Sequence, residues 1–237
     1  MLSVASAVIQ ANLERVRGRI AAAAQRAWRD PNQIRLVCVT KGIPVERVRE
    51  AVAAGVTEIG ENRVQEAKEK QPVVGREGVR WHLIGHLQRN KAKFAVELFD
   101  VIHSVDSLEL MEALDRHAAL RQGLPPTRSG AQGERKLEVL VQVNVSAEAT
   151  KHGCKPDEAR MLAEAILKSN HLKLTGLMTM APFSENPESA RLVFSQLREL
   201  RNAIDPSLDL SMGMSSDFET AVEEGATLVR IGTAIFQ

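Results

Sequence analysis

The sequence predicts a single-domain (β/α)8 TIM barrel with an extra N-terminal helix, spanning residues 1–237. Eight short apolar runs alternate with amphipathic stretches along one chain. Several of these runs, such as Leu36-Val37-Cys38-Val39, are continuously apolar, as strands covered on both faces by helices are. A length of 237 residues suits one closed barrel. An open doubly wound sheet is the rival fold, and the GxGxxG fingerprint that favours it is absent.

The first helix is marked by Ile9, Leu13, Val16 and Ile20, an amphipathic stripe at i, i+4, i+7 and i+11. Ala5-Ser6-Ala7 near its start lacks the basic region and long apolar stretch of a signal peptide. Strands are expected near Ile34–Thr40, Thr57–Ile59, Val79–Ile84, Phe99–His103, Leu137–Val143, Leu172–Leu177, Leu208–Ser211 and Thr227–Ile231. Helices are expected over Val45–Ala54, Arg63–Lys70, Leu87–Val96, Ser107–Leu120, Pro156–Lys168, Pro187–Ile204 and Ser215–Glu224. Arg121–Arg135, rich in Gly, Pro, Ser and charge, is expected to be a solvated loop before the fifth strand.

Composition excludes several function classes. Lys and Arg number 31 against 30 Asp and Glu, so charge offers no pull toward nucleic acid or an anionic membrane. Aromatics are 3% with no Tyr; their scarcity argues against the stacking platforms of single-strand binders, and the missing Tyr removes one common acid/base. No run approaches the ~18 apolar residues of a membrane span. Cys38 and Cys154 have no metal or disulfide spacing, so a reducing cytoplasmic compartment is expected. No exposed apolar stripe is evident, and a monomer is expected.

In such a barrel, polar residues at the C-terminal ends of strands are the functional candidates. Lys41 directly follows the apolar first strand. It either extends to solvent and pairs with a carboxylate, or serves as a Schiff-base lysine projecting from a dry base. Asn62 follows Gly60 and Glu61 after the second strand, where it can offer a donor and an acceptor to a ligand, although an Asn after a Gly more often caps a helix. Two further loops, Ser211-Met212-Gly213-Met214-Ser215 and Val229-Arg230-Ile231-Gly232-Thr233, follow strands seven and eight. Barrels commonly bind phosphate there, with a helix N-terminus, and small residues admit the anion. An amine on strand one facing a phosphate cradle on strands seven and eight describes pyridoxal 5′-phosphate.

These stretches, with Gly60-Glu61-Asn62-Arg63-Val64-Gln65-Glu66 and Trp81-His82-Leu83-Ile84-Gly85-His86-Leu87-Gln88, resemble those of the pyridoxal phosphate homeostasis proteins. The resemblance runs from the first strand to the C-terminus. It implies a barrel like the N-terminal domain of alanine racemase and Lys41 as the lysine bound to the cofactor aldehyde. It further implies the Met214 backbone, Ser215, Gly232 and Thr233 around the phosphate, Arg230 at the pyridine nitrogen and Asn62 beside the ring. Gly42 stands where the resemblance leads one to expect Thr, and Arg63 where an aromatic is common. His82 and His86 fall near a strand end, so packing or rim roles are expected rather than a metal site.

Three functions compete: a binding protein that buffers pyridoxal phosphate and passes it to apoenzymes, a cofactor-dependent amino-acid racemase, and a phosphate-ester enzyme using Lys41 on its substrate. The absence of Tyr and of a second domain favours the binding protein, with the racemase as the alternative.

Overall fold

In the computed structural model, which describes residues 4–120, 136–148 and 150–237, the strands are Arg35–Val39 (β1), Glu58–Glu61 (β2), Arg80–Leu83 (β3), Val101–Val105 (β4), Leu137–Gln142 (β5), Leu172–Met178 (β6), Asp209–Ser211 (β7) and Leu228–Ile231 (β8). All pair in parallel and in chain order, and β8 returns to β1 to close the barrel. The expected loop Arg121–Arg135 lies outside the described residues.

Helices cover the outside: Val4–Arg26 (α1), Val45–Ala53 (α2), Val64–Val74 (α3), Ala92–Leu98 (α4), Leu108–Ala119 (α5), Pro156–Lys168 (α6), Arg191–Ile204 (α7), Phe218–Glu223 (α8) and Thr233–Phe236 (α9). The α1 stripe is buried as its periodicity requires, with Ile9, Leu13, Val16 and Ile20 all in the outer core. Asn12 on that helix donates to the carbonyls of Ile235 and Gln237, both at 3.0 Å. Ser107 caps α5 by accepting from the Leu110 N–H.

Two expected helices are interrupted. Pro187–Ile204 begins as a 3₁₀ turn over Pro187–Ala190, and Leu87–Val96 yields a 3₁₀ turn over Arg89–Lys91 before α4. The helix expected from Ser215 starts at Phe218, because Asp217 ties back to the Met214 N–H. Cys38 and Cys154 are free and buried, and burial pushes both thiols up to about 12. Among the described residues no helix is long and apolar enough to cross a membrane.

Side-chain alternation divides each strand between an outer core under the helices and the barrel interior. The interior holds two small apolar groups, one of Val37, Ile84 and Leu228, the other of Val101, Leu140 and Met178. Val39 packs on the first and Met180 on the second, and His82, His103, Ser211 and Arg230 bring buried polar groups between the strands. Gly60 belongs there because a Cβ on it would lie 2.9 Å from Val37 Cγ1. His82 pairs in register with Gly60 and Val101, and His103 lies two residues beyond Val101. Ser211 registers with Leu228, and Arg230 lies two residues beyond Leu228.

Candidate functional site

Because β8 pairs with β1, loops separated by about the whole chain become neighbours at the C-terminal mouth. The contact is close: a Cβ on Gly232 would lie 2.8 Å from the Val39 carbonyl oxygen. Lys41 follows Val39 on the same alternation and sits in a turn closed by the Ile43 N–H on the Thr40 carbonyl at 3.0 Å. Gly42 takes φ +68° in that turn, the left-handed region that glycine enters freely. Glycine at this position therefore has a backbone reason. Lys41 itself is exposed, so the dry surroundings expected for its amine are not observed.

The turn is fixed from below. Lys70 on α3 donates to the Thr40 carbonyl at 2.6 Å and to Glu61 Oε1 at 2.7 Å. Thr40 Oγ1 donates to the same Glu61 oxygen at 2.5 Å. Glu66, one helical turn before Lys70, accepts the Gly42 N–H at 2.8 Å and lies 3.3 Å from the Lys70 ammonium. The backbone on both sides of Lys41 is thus held by α3. Burial raises the Glu61 carboxyl, outweighing Lys70 and Thr40. For Glu66, burial is outweighed by the Gly42 N–H and Lys70, which hold it below the usual range.

On the far side of β1, Arg230 is 4% exposed. Its Nη1 donates to Ser211 Oγ at 2.7 Å and its Nη2 to the Thr179 carbonyl at 2.8 Å. Burial lowers its pKa to about 10, against the pull of Asp217, so it remains charged at neutral pH. Gly213 has φ +92°, and a Cβ there would meet Ala221 Cβ at 2.6 Å. Its small size serves the approach of β7 to α8, a packing role not anticipated for a phosphate loop.

Ser215 and Gly232 are half-buried and Thr233 is exposed at the rim. The Met214 N–H, expected at the phosphate, donates to Asp217 Oδ1 at 2.6 Å within its own turn. Helices α8 and α9 have six and four residues, so any anion attraction comes from individual N–H groups rather than a long helix dipole. Thr233 and Ala234, opening α9, have N–H groups with no partner inside that helix.

Asn62 is half-buried after β2 and, with Arg63, Lys68, His86, Lys91 and Phe94, lines a groove of about 540 Å³. His82 and His86 separate as expected: His82 is buried in the interior and His86 lies exposed on the rim. His86 stacks on His152 with ring centroids 3.8 Å apart and planes 8° apart, and its Nδ1 lies 3.5 Å from Asp106 Oδ2. Parallel rings aim their lone pairs side by side rather than at one point, so this trio is not a formed metal centre. Glu61, Glu66, Lys70, His103, Thr179 and Ser211 were not anticipated as site residues. Their signal is positional, since each acts on a neighbour brought in by barrel closure or by α3.

The sequence pattern of the alanine racemase N-terminal domain matches residues 11–237. The pyridoxal phosphate homeostasis protein of Pseudomonas aeruginosa is 43% identical over 96% of this chain and 94% of its own length. That of Escherichia coli K12 is 40% identical over 95% and 94%. Among solved structures, PipY of Synechococcus elongatus with PLP bound superposes with a TM-score of 0.78, at 36% identity, covering 97% of this chain and all of that one. An alanine racemase of Clostridium difficile shares the fold, with a TM-score of 0.69 at 15% identity; the match covers 96% of this chain but 56% of the racemase. The chain belongs to the pyridoxal phosphate homeostasis protein family.

Proposed function

We propose that this protein binds pyridoxal 5′-phosphate at the C-terminal mouth of its barrel and serves intracellular vitamin B6 homeostasis. It holds the cofactor on Lys41 and buffers it or delivers it to dependent apoenzymes. The observation that carries this is the closure of β8 onto β1, which sets the Lys41 turn beside the Gly232–Thr233 loop. When bound, the cofactor supplies an aldehyde that condenses with an amine, releasing water, and a phosphate that requires hydrogen-bond donors.

The donor set fits that group. Lys41 offers an accessible amine on a turn whose backbone is held on both sides. Ser215 and Thr233 offer hydroxyls, and Gly232 leaves room for an oxygen to approach the backbone. Arg230, charged and fixed by two hydrogen bonds, offers donors to the ring nitrogen, and Asn62 lies at the mouth from the adjoining strand. An Arg at that nitrogen disfavours the protonated ring that best stabilises carbanions. The chain has no Tyr to act on a second face. Binding without efficient turnover follows, and racemisation is the lesser reading. The relatives' names and the PLP-bound PipY support this.

The test is reductive trapping. Protein incubated with pyridoxal phosphate and borohydride is digested and its labelled peptide mapped. Label at Lys41, lost in Lys41→Ala, is expected; label at another lysine overturns the assignment.

A further inference from the structure

Beneath Arg230 a file of buried polar groups descends the barrel interior. Arg230 Nη1 donates to Ser211 Oγ at 2.7 Å, and Ser211 Oγ lies 2.9 Å from His103 Nδ1. His103 Nε2 lies 2.9 Å from His82 Nδ1, and His82 Nε2 lies 3.1 Å from Glu58 Oε2. His82, His103 and Ser211 are fully buried. The last contact is close but imperfectly aligned, and among the described residues neither atom completes a hydrogen bond elsewhere.

The direction of the file follows from its ends. A guanidinium only donates and a carboxylate only accepts. Burial would raise the Glu58 carboxyl, but His82, Arg35 and Arg80 hold it below the ordinary range. Ser211 Oγ accepts from Arg230 and, among the described residues, meets no acceptor other than His103 Nδ1, so the hydroxyl gives its proton to that nitrogen. His103 therefore carries its proton on Nε2 and donates it to His82 Nδ1. His82 in turn carries its proton on Nε2, facing Glu58. The reverse order would set a bare His82 nitrogen against the Glu58 carboxylate. A second proton on His103 is opposed by burial, by His82 and by Arg230.

We infer that His82 and His103 are positioning residues for the cofactor ring: locked as neutral Nε2–H tautomers, they link Glu58 to Ser211 and hold Arg230 as a fixed donor to the ring nitrogen. This rests on the proposed placement of pyridoxal phosphate above Arg230. Ser211 and Thr179 use two of the five guanidinium N–H donors, and the others stay available to a ligand. Neither histidine need touch that ligand. Their effect reaches it through one side chain.

Two measurements test this. Nitrogen–proton correlation spectra of the histidines in the cofactor-free protein should show His82 and His103 as neutral Nε2–H tautomers. A His103 protonated on Nδ1, alone or on both nitrogens, near neutral pH overturns the file. The second measurement loads pyridoxal phosphate and follows its absorbance band and its loss on dialysis. His103→Ala should displace the band and speed the loss about tenfold, the worth of one ordinary hydrogen bond. Val101→Ala, beside His82 in register, opens the same interior but removes no polar member of the file, and should leave the band in place. An equal displacement in both variants overturns the positioning role while leaving the cofactor reading intact. No uptake by the wild type, with tautomers as expected, overturns the cofactor reading and the ring role together.

Discussion

The Lys70 ammonium lies 2.6 Å from the carbonyl oxygen of Thr40, the residue before Lys41. The same ammonium reaches Glu61 at 2.7 Å, and the Glu61 side chain is fully buried. One side chain on α3 therefore neutralises a buried carboxylate and anchors the turn that carries the candidate amine. Removing one partner of a buried pair typically costs about 3–5 kcal/mol, because the other charge is left without compensation. Lys70→Met should lose stability on that scale in urea denaturation. Lys70→Met with Glu61→Leu should recover much of it. If the double variant is no more stable than the single one, the cost lies in the lost Thr40 contact instead.

Gly42 supplies a second check on the same turn. With φ at +68° and no atom within 4 Å of a Cβ built on it, space is free but the backbone conformation is unfavourable for other residues. Left-handed backbone costs an L-residue roughly 1–2 kcal/mol, and a β-branched side chain suits it least. Gly42→Thr should destabilise by about that amount, and Gly42→Asn by less. Chemical denaturation reads the difference. Equal stability of all three proteins would show that the turn relaxes away from this conformation.

These two residues also show what could be read from sequence. Continuous apolar runs marked the strands, and stripes such as Ile9, Leu13, Val16 and Ile20 marked the helices, since burial writes a period into the chain. Lys41, Asn62, Ser215 and Thr233 stand out because each follows an apolar run. Glu61 does not: the second strand was expected to end at Ile59, whereas it continues to Glu61, which registers with Leu83. A buried carboxylate breaks the apolar pattern, so in sequence it looks like loop. Its partner Lys70 lies on another element, and only the fold brings them together. His82 and His103 were equally hidden, because histidines in apolar strands look like packing until their nitrogens find each other.

The interior histidines make stability pH-dependent in a predictable sense. His103 is held well below its ordinary 6.5, first by burial and then by His82 and Arg230. Below 6.5 the unfolded chain therefore binds a proton that the folded state refuses. Stability should fall as pH drops below about 6.5, by at most ~1.4 kcal/mol per pH unit from this group. Glu58, held below 4.5, loses its contribution only at still lower pH. The raised carboxyls of Glu61 and Asp217 act with the opposite sign, so the comparison must be differential. Urea midpoints at pH 7 and 5.5 should converge in His103→Gln relative to wild type. Parallel pH profiles would assign the proton uptake elsewhere.

The loops proposed to hold the phosphate give a fourth expectation. Hydrogen bonds to a charged group contribute on the order of 1.5–3 kcal/mol each, so Ser215→Ala with Thr233→Val should weaken retention of pyridoxal phosphate more than tenfold by equilibrium dialysis. Pyridoxal, lacking the phosphate, should bind the wild type correspondingly less well. Because the Met214 N–H is already taken by Asp217, most of the loss should come from the two hydroxyl positions. Equal affinity for the two vitamers would remove these loops as the anchor.

The final expectation concerns what the protein does with the cofactor it is proposed to hold. Under the proposed placement Lys41 would move a proton on one face of the cofactor, and racemisation through two bases needs a second group on the other. Tyr is absent from the chain. His82 is committed to the interior file and fully buried, so it cannot reach a substrate at the mouth. His86 is the remaining candidate among the strand-three residues, exposed on the rim and stacked on His152. A general base must come within about 3 Å of the proton it removes, and His86 follows β3, two strands round the barrel from the Lys41 turn. Amino-acid racemisation and transamination should therefore fall far below the ~1–10³ s⁻¹ of ordinary enzymes, while transfer of pyridoxal phosphate to an apoenzyme proceeds. Turnover within that range on any amino acid would overturn the carrier role. Were it abolished by His86→Ala with cofactor retention intact, His86 would be identified as the second base.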